Sequence, residues 1–336
     1  MIDDVMNSKP TAIDVTNVSV SFNHAGSLFS FFSPGQKKSI NALSNITFSI
    51  EAGSSLGIVG ESGSGKTTLA KTILGLITPS SGTVHFENNI LQQKDTQFIF
   101  QDPLAALNPK MTVEQLITEP LDYLQKKSNK QKPANGTRLQ KLKTMMEQVG
   151  LDFSQRHRYA HEFSGGQCQR IGIARAMITQ PKVLICDEPV SALDVSVRAQ
   201  IINLLKDFQQ RQGLTLIFIA HDLSLVRYIS DKLLVLYQGK LMEMGSSEEV
   251  FSQARHPYTQ ALISAEPRPD PETERHRVYA DYGKTTGTIS EASGCVYAGR
   301  CTYAQAQCHT QAPPLRQASD TVKVACFFPL EAATSV

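Results

Sequence analysis

Three short segments, in a fixed order, constrain this 336-residue chain more than anything else in it. The first is Gly60-Glu61-Ser62-Gly63-Ser64-Gly65-Lys66-Thr67, which matches G-x-x-x-x-G-K-S/T without a mismatch. It follows a continuous apolar run, Leu56 to Val59, as expected of a buried parallel strand, and opens a helical stretch to about Leu76. The last is a second such run, Val183-Leu184-Ile185-Cys186, ended by Asp187 and Glu188. Between them stands Ser164-Gly165-Gly166-Gln167, at the head of a helical stretch to Met177. A glycine-rich turn between strand and helix lets backbone N–H groups wrap an anion, and the helix dipole adds to that. Two adjacent acids at the end of a buried strand are costly unless they have work.

The rest of the chain repeats the strand–helix alternation. Residues 11 to 22 alternate, with Ile13, Val15, Val18, Val20 and Phe22 apolar, and Ile46 to Ile50 is a further strand. Gly26 to Ser39 reads as a loop. From Pro103 to about Ala160 the pattern is helical and polar. Strand then follows helix again: Val195 to Gln212 helical, Leu216 to Ala220 a strand, Leu223 to Ile229 a short helix, and Leu233 to Tyr237 with Gly239 a final hairpin edge. This order predicts an α/β domain with a mainly parallel sheet flanked by helices. Composition shifts near His256, and Pro267 to Pro271 reads as a linker. The expected division is 1–255, with 103–180 as a helical subdomain, and an extension over 256–336.

Composition excludes some roles. A net charge of +2 gives no bulk electrostatic support for nucleic-acid binding. No apolar run approaches the roughly 20 residues of a membrane span, and the acidic start Met1-Ile2-Asp3-Asp4 does not read as a secretory signal. The expectation is a cytoplasmic chain that reaches a membrane only through partners. The segment Gln125 to Lys143 carries Lys126, Lys127, Lys130, Lys132, Arg138, Lys141 and Lys143 without an acid. It reads as a solvated face first, and as a contact for a membrane partner or anionic headgroups second. Four of the six cysteines, Cys295, Cys301, Cys308 and Cys326, crowd the C-terminal stretch. In a reducing compartment that argues for metal over disulfides.

Within the phosphate loop, Gly60, Ser62, Gly63 and Gly65 shape the cradle. Lys66 is placed to reach the β- and γ-phosphates of a nucleotide, and Thr67, beside Thr68, to ligate Mg²⁺. Asp187 suits a Mg²⁺ partner and Glu188 the group that polarises an attacking water. As neighbours on a strand end, they are expected to point to different sides.

The phosphate loop, the SGGQ turn and the acidic strand together resemble the ATP-binding cassette (ABC) ATPases. That resemblance implies an ABC-type P-loop fold with an antiparallel β subdomain and a helical subdomain. ATP would be sandwiched between the phosphate loop of one subunit and Ser164, Gly165, Gly166 and Gln167 of another. Gln101, in Phe100-Gln101-Asp102-Pro103, resembles the family's Q-loop glutamine, which senses Mg²⁺ and the attacking water. His221 resembles the switch histidine that contacts the γ-phosphate. Ser191-Ala192-Leu193-Asp194 resembles the D-loop that meets the partner. Phe22 is a candidate for stacking on adenine, with a place in the core as its other reading.

His256-Pro257-Tyr258-Thr259-Gln260-Ala261-Leu262 and the tail Cys295-x5-Cys301-x6-Cys308-x17-Cys326 resemble the extension of the oligopeptide/dipeptide-type importer ATPases. Arg158-Tyr159-Ala160-His161-Glu162-Phe163 and Gln101 to Pro109 point the same way. The resemblance covers nearly the whole chain. It implies a second homologous ATPase, two membrane permeases and, indirectly, an extracytoplasmic substrate-binding protein. The four cysteines suit a 4Fe–4S cluster; zinc and free thiols stay open, and close Cys-x2-Cys pairs are absent. Cargo stays open too: peptide first, then nickel, glutathione, polyamine or cationic peptide. Two more distant readings are a soluble non-transport cassette and a P-loop kinase. Between the phosphate loop and Gln101 the chain looks short for the family, so a trimmed antiparallel subdomain is expected.

Overall fold

Long apolar runs and phase-shifted alternation account for most of the elements. The computed structural model describes residues 10–23, 39–87, 90, 92–128, 135–266 and 294–331. The Gly26–Ser39 loop (but for Ser39), the Pro267–Pro271 linker and the acidic start lie outside the described residues. Elements run β1 (Thr11–Asn23), β2 (Ser39–Glu51), β3 (Ser55–Val59), α1 (Lys66–Ile73), β4 (Ser81–Phe86), α2 (Gln92–Asp95) and β5 (Thr96–Ile99). Then come α3 (Val113–Ser128), α4 (Asn135–Gln148), α5 (Gly165–Met177), β6 (Val183–Asp187), α6 (Val195–Gln212), β7 (Thr215–Ile219), α7 (Leu223–Ile229), β8 (Lys232–Tyr237) and β9 (Lys240–Ser246). α8 (Ser247–Ser252), α9 (Pro257–Ser264), β10 (Arg316–Gln317) and β11 (Lys323–Val324) complete the order, with a five-residue helix at Ala306–Thr310.

The described residues fall into two compact units. One draws on the parts of Met1–Asp14, Ser49–Ser55 and His85–Ala220; the other on those of Val15–Phe48, Leu56–Val84 and His221–Val336. In the first, β5, β6 and β7 run parallel, with Ile185 beside both Phe98 and Ile217. Every residue of β6 and β7 is buried, which is why both read as unbroken apolar runs. The helices α3, α4 and α5 pack together in the same unit. Arg175 ties α5 to α3 through the Glu119 carboxylate at 2.7 Å and to the Ala106 carbonyl at 2.9 Å. Within the basic segment, Arg138 is paired with Asp122 at 2.8 Å and Lys143 with Glu147 at 3.9 Å, so part of it is a salt-bridged helix face. Lys130 and Lys132 lie outside the described residues, as does the Lys127 side chain.

In the second unit, β3 runs parallel to β8, β9 pairs antiparallel with β8, β11 antiparallel with β9, and β10 antiparallel with β11. The hairpin expected at Gly239 is present, but β8 is no edge: β3 and β9 flank it. Its residues from Leu233 to Tyr237 are all buried, as an interior strand requires. β1, β2 and β4 form a three-stranded sheet in the order β2-β1-β4. Here the apolar alternation skips a beat, from Val15 to Val18 and from Leu43 to Ile46. Asn17 (φ 51°) and Asn45 (φ 56°) sit in the left-handed region at those two places. Asparagine tolerates that conformation, and the extra residue returns Val18, Val20, Ile46 and Phe48 to the buried face. The Thr47 hydroxyl accepts from Asn17 N–H at 2.9 Å, and Ser19 Oγ accepts from Asn45 N–H at 3.0 Å, so each kink is bonded to the neighbouring strand.

Candidate functional site

The phosphate loop leaves β3 and enters α1 within the second unit. Gly60 has φ 149°, and a Cβ there would lie 2.1 Å from the Leu236 carbonyl oxygen, so only glycine fits against the end of β8. The far side of the loop is bonded to the β8–β9 turn, where Gly239 N–H donates to the Ser64 carbonyl at 2.9 Å. Gly63 and Gly65 also have positive φ, and Ser62 is exposed. α1 begins at Gly65 with no side chain capping its first N–H groups and no acid in its first turn. That leaves a helix N-terminus suited to phosphate oxygens. Lys66 is 7% exposed, and its ammonium donates to the carbonyls of Gly60 at 2.8 Å and Glu61 at 2.9 Å. Thr67 is exposed and Thr68, beside it in the first turn of α1, is half-buried. His221 is exposed just after β7, where Asp222 caps α7 by accepting from Leu225 N–H at 3.1 Å. Phe22, 45% exposed near the end of β1, is not a core residue, which removes that reading of it.

In the first unit the acidic strand meets the glutamine. Asp187 is the last residue of β6 and is 6% exposed. Glu188 follows in a left-handed conformation, φ 49°, with its N–H bonded to the Ile219 carbonyl at 2.9 Å. The strand ends at Asp187 and the chain turns left-handed at Glu188, so the expected strand alternation does not run through Glu188. Gln101 Nε2 donates to the Glu188 carboxylate at 2.9 Å. Residues 87 positions apart thus share one hydrogen bond at the candidate catalytic point.

The SGGQ segment heads α5. Ser164 Oγ accepts from Gln167 N–H at 3.4 Å, and Gln167 Oε1 accepts from Ser164 N–H at 3.0 Å, a reciprocal cap. Gly165 is exposed. Gly166 has a second reason for lacking a side chain: a Cβ there would lie 2.6 Å from Val197 Cγ1 on α6. Asp194 precedes α6 and is exposed, with no capping bond from its side chain. Cys168 and Cys186 are buried, and burial pushes both thiols up.

Sequence reasoning did not single out the support behind the loop. Glu243 is fully buried in β9 and accepts from the backbone N–H of Arg255 at 2.7 Å and His256 at 2.9 Å. Burial raises its carboxyl above the usual range. His256 Nδ1 accepts from Tyr258 N–H at 2.9 Å and starts α9; burial takes its pKa down to about 3, so the ring is neutral. The one signal for Glu243 was an acid between Met242 and Met244 in an otherwise apolar strand.

Cys295, Cys301, Cys308 and Cys326 line one small cavity, with His256 and Tyr297 among its walls. Cys295 N–H donates to the Cys308 carbonyl at 2.8 Å. Burial raises the thiols of Cys295 and Cys301, and pushes Cys326 up to about 11. Among the described residues, no three His, Cys, Asp or Glu side chains are gathered tightly enough to hold a metal ion as they stand. The expected metal centre is thus a shared cavity, not a converged ligand set. The extension is also attached without metal: β11 adds to β9, and Val322, Val324 and Tyr297 are buried.

A phosphate loop backed by parallel strands, with an acid–glutamine pair and a capped SGGQ helix elsewhere in the chain, defines an ABC-type ATPase. Residues 43–191 match the ABC transporter family, and residues 242–308 match the oligopeptide/dipeptide transporter C-terminal region. The chain is 46% identical over 334 residues to the oligopeptide transport ATP-binding protein OppF of Haemophilus influenzae, covering 96% of this chain and 98% of that protein. It is 43% identical over 334 residues to OppF of Salmonella typhimurium, with the same 96% and 98% coverage. It is 45% identical over 288 residues to a putative peptide import ATP-binding protein of Brucella ovis, covering 83% and 89%. This chain belongs to the oligopeptide/dipeptide branch of the ABC transporter ATP-binding family. The ATP-binding cassette MJ0796, in a dimeric structure with ADP and Pi, shares the fold (TM-score 0.59, 24% identity, 70% of this chain and 98% of that one). So does cbiO1 of Clostridium perfringens, part of the cbiONQ transporter complex (TM-score 0.59, 26% identity, 72% and 91%). No helix among the described residues is long and apolar enough to cross a membrane.

Proposed function

We propose that this chain is the ATP-hydrolysing subunit of a membrane importer of di- and oligopeptides, working at the cytoplasmic face beneath two permeases. The tail carries the choice of cargo class: residues 242–308 match the oligopeptide/dipeptide C-terminal region, and the relatives named above are peptide-transport proteins. A second homologous ATPase completes the pair, and an extracytoplasmic binding protein delivers cargo. The division into a cassette over 1–255, with a helical part over 103–180, and an extension over 256–336 belongs to the same proposal.

The chemistry follows from the placed residues. Backbone N–H groups of Gly63 and Gly65 and the uncapped start of α1 receive the phosphates, and Lys66 moves from its carbonyl partners to the β- and γ-oxygens. Thr67, Asp187 and Gln101 would hold Mg²⁺, which neutralises charge on the phosphates. Glu188 accepts a proton from the attacking water, with Gln101 fixing the carboxylate's direction. His221 contacts the γ-phosphate and Phe22 stacks on adenine. Ser164, Gly165, Gly166, Gln167 and Asp194 serve the partner's nucleotide, so closure depends on contacts made only with the γ-phosphate present.

In the tail the same reading assigns Cys295, Cys301, Cys308 and Cys326 a 4Fe–4S cluster. That the four cysteines line one cavity is what supports this reading. The cluster would supply structural bonds and no electrons. Reconstitution tests the whole reading: the chain, its partner ATPase and the permeases in proteoliposomes should hydrolyse ATP faster, and take up peptide, when peptide-loaded binding protein is added. Stimulation by nickel, glutathione or polyamine alone would move the cargo class; no hydrolysis in the full assembly would end the proposal.

A further inference from the structure

Glu61, the second residue of the phosphate loop, is held at both ends by the tail. Its backbone N–H donates to the Tyr258 hydroxyl at 2.9 Å. Its carboxylate accepts from Arg300 Nη1 at 2.9 Å. The same nitrogen donates to the Tyr237 hydroxyl at 3.2 Å. The rings of Tyr237, Tyr258 and Tyr297 stand 4.6 to 5.3 Å apart, and the Arg300 guanidinium lies 5.7 Å from those of Tyr237 and Tyr297. Tyr297 and Arg300 both sit on the turn between Cys295 and Cys301.

The peptide between Gly60 and Glu61 is the centre of this arrangement. Tyr258 takes its N–H, and Lys66 rests on its carbonyl at 2.8 Å. Tyr258 therefore fixes the plane of the peptide that positions the phosphate-binding lysine. Arg300 has a different effect. A carboxylate on this loop repels a triphosphate, and the guanidinium cancels that charge. The Arg300 side chain is 17% exposed against 42% for Glu61, so the pair is only partly screened.

We infer that Arg300 and Tyr258 are positioning residues for ATP: through Glu61 they set the charge and the peptide plane of the phosphate loop, so the cysteine-bearing tail tunes nucleotide affinity. This rests on the reading that ATP binds at Lys66, and the test separates the two.

Binding of a fluorescent ATP analogue with Mg²⁺ is measured on the full chain and on Arg300→Gln, Glu61→Gln, the double variant and Lys66→Ala. Arg300→Gln should weaken affinity by about tenfold, and less at high salt. Glu61→Gln should bind at least as tightly as the parent, because it leaves the Arg300 cation without its carboxylate, and the double variant should return to about the parent level, because both charges are gone. In the assembled ATPase, Arg300→Gln should raise KM for ATP and leave kcat at saturation unchanged. Parent-like binding by Arg300→Gln, or a double variant as weak as Arg300→Gln, overturns the inference. Tyr258→Phe removes one hydroxyl and gives a reading if Arg300→Gln does not fold: about threefold weaker binding is expected, and no change rejects it. If instead Lys66→Ala binds as tightly as the parent, it is the site assignment that fails.

Discussion

Gln101 and Glu188 are joined by a 2.9 Å hydrogen bond from the glutamine amide to the carboxylate. The glutamate bears this bond in a left-handed backbone conformation that a non-glycine residue adopts at a cost of about 1 kcal/mol or more. Such a cost is tolerated where a side chain must be aimed. Glu188→Gln keeps shape and loses the charge. It should bind ATP as the parent does and lose about 100-fold or more of steady-state turnover at this site, measured with the partner subunits present. Retained turnover at this site would remove Glu188 from the mechanism.

Lys66→Ala removes the cation that lies over the loop. Nucleotide affinity should fall by about tenfold or more, read by equilibrium binding with Mg²⁺. An unchanged affinity would count against its role.

An isolated chain should be a poor ATPase, because each site needs a phosphate loop and an SGGQ turn from two subunits. Turnover per site should climb with protein concentration, and further when the partner ATPase and permeases are added. Full activity at high dilution would contradict the shared site.

Protein purified without oxygen should be brown and contain about four irons per chain. Cys308→Ser should bleach it and, through Arg300, weaken ATP binding without abolishing it. One zinc and no iron, or no metal at all, would reject the cluster.

Glu243→Ala leaves two buried N–H groups, those of Arg255 and His256, without their acceptor. A loss of about 2–4 kcal/mol is expected, with faster hydrogen exchange at β11. The sign with pH is also fixed. Burial raises this carboxyl, so the native state holds its proton more tightly than the unfolded chain. Its contribution is full below the ordinary value of 4.5 and is lost as pH rises through the native pKa. Denaturant titrations of the parent against Glu243→Gln should show that difference shrinking above pH 4.5. A difference flat with pH would show that Glu243 titrates normally.

The phosphate-loop, SGGQ and acidic-strand segments were legible because each is local: a strand run, a turn and a helix start adjoin in sequence. β6 and β7, buried on both faces, announced themselves as unbroken apolar runs. What sequence could not supply were relations between distant residues. Arg300 and Glu61 are 239 positions apart, and neither stands out in its own neighbourhood. β11 has two residues, too few for any periodicity, and β8 looked like an edge because glycine ends it whether or not a neighbour lies beyond. The first half of β2 gives no alternation to read, because its Ile40 and Asn41 are both exposed. Asn17 hides its phase shift inside the alternation of residues 11 to 22, and Asn45 falls just before the strand reading at Ile46.

The pairing of β11 onto β9 also decides how the cassette can be cut. A strand with a bare flank offers its N–H and C=O groups to any other chain that can lie beside it. Lys323 and Val324 occupy that flank of β9 at Met244 and Glu243. A shortened protein ending before Gly294 would keep every segment proposed to bind nucleotide and still present a sticky margin. Such a fragment is expected to self-associate, so the smallest well-behaved unit of this chain includes the tail.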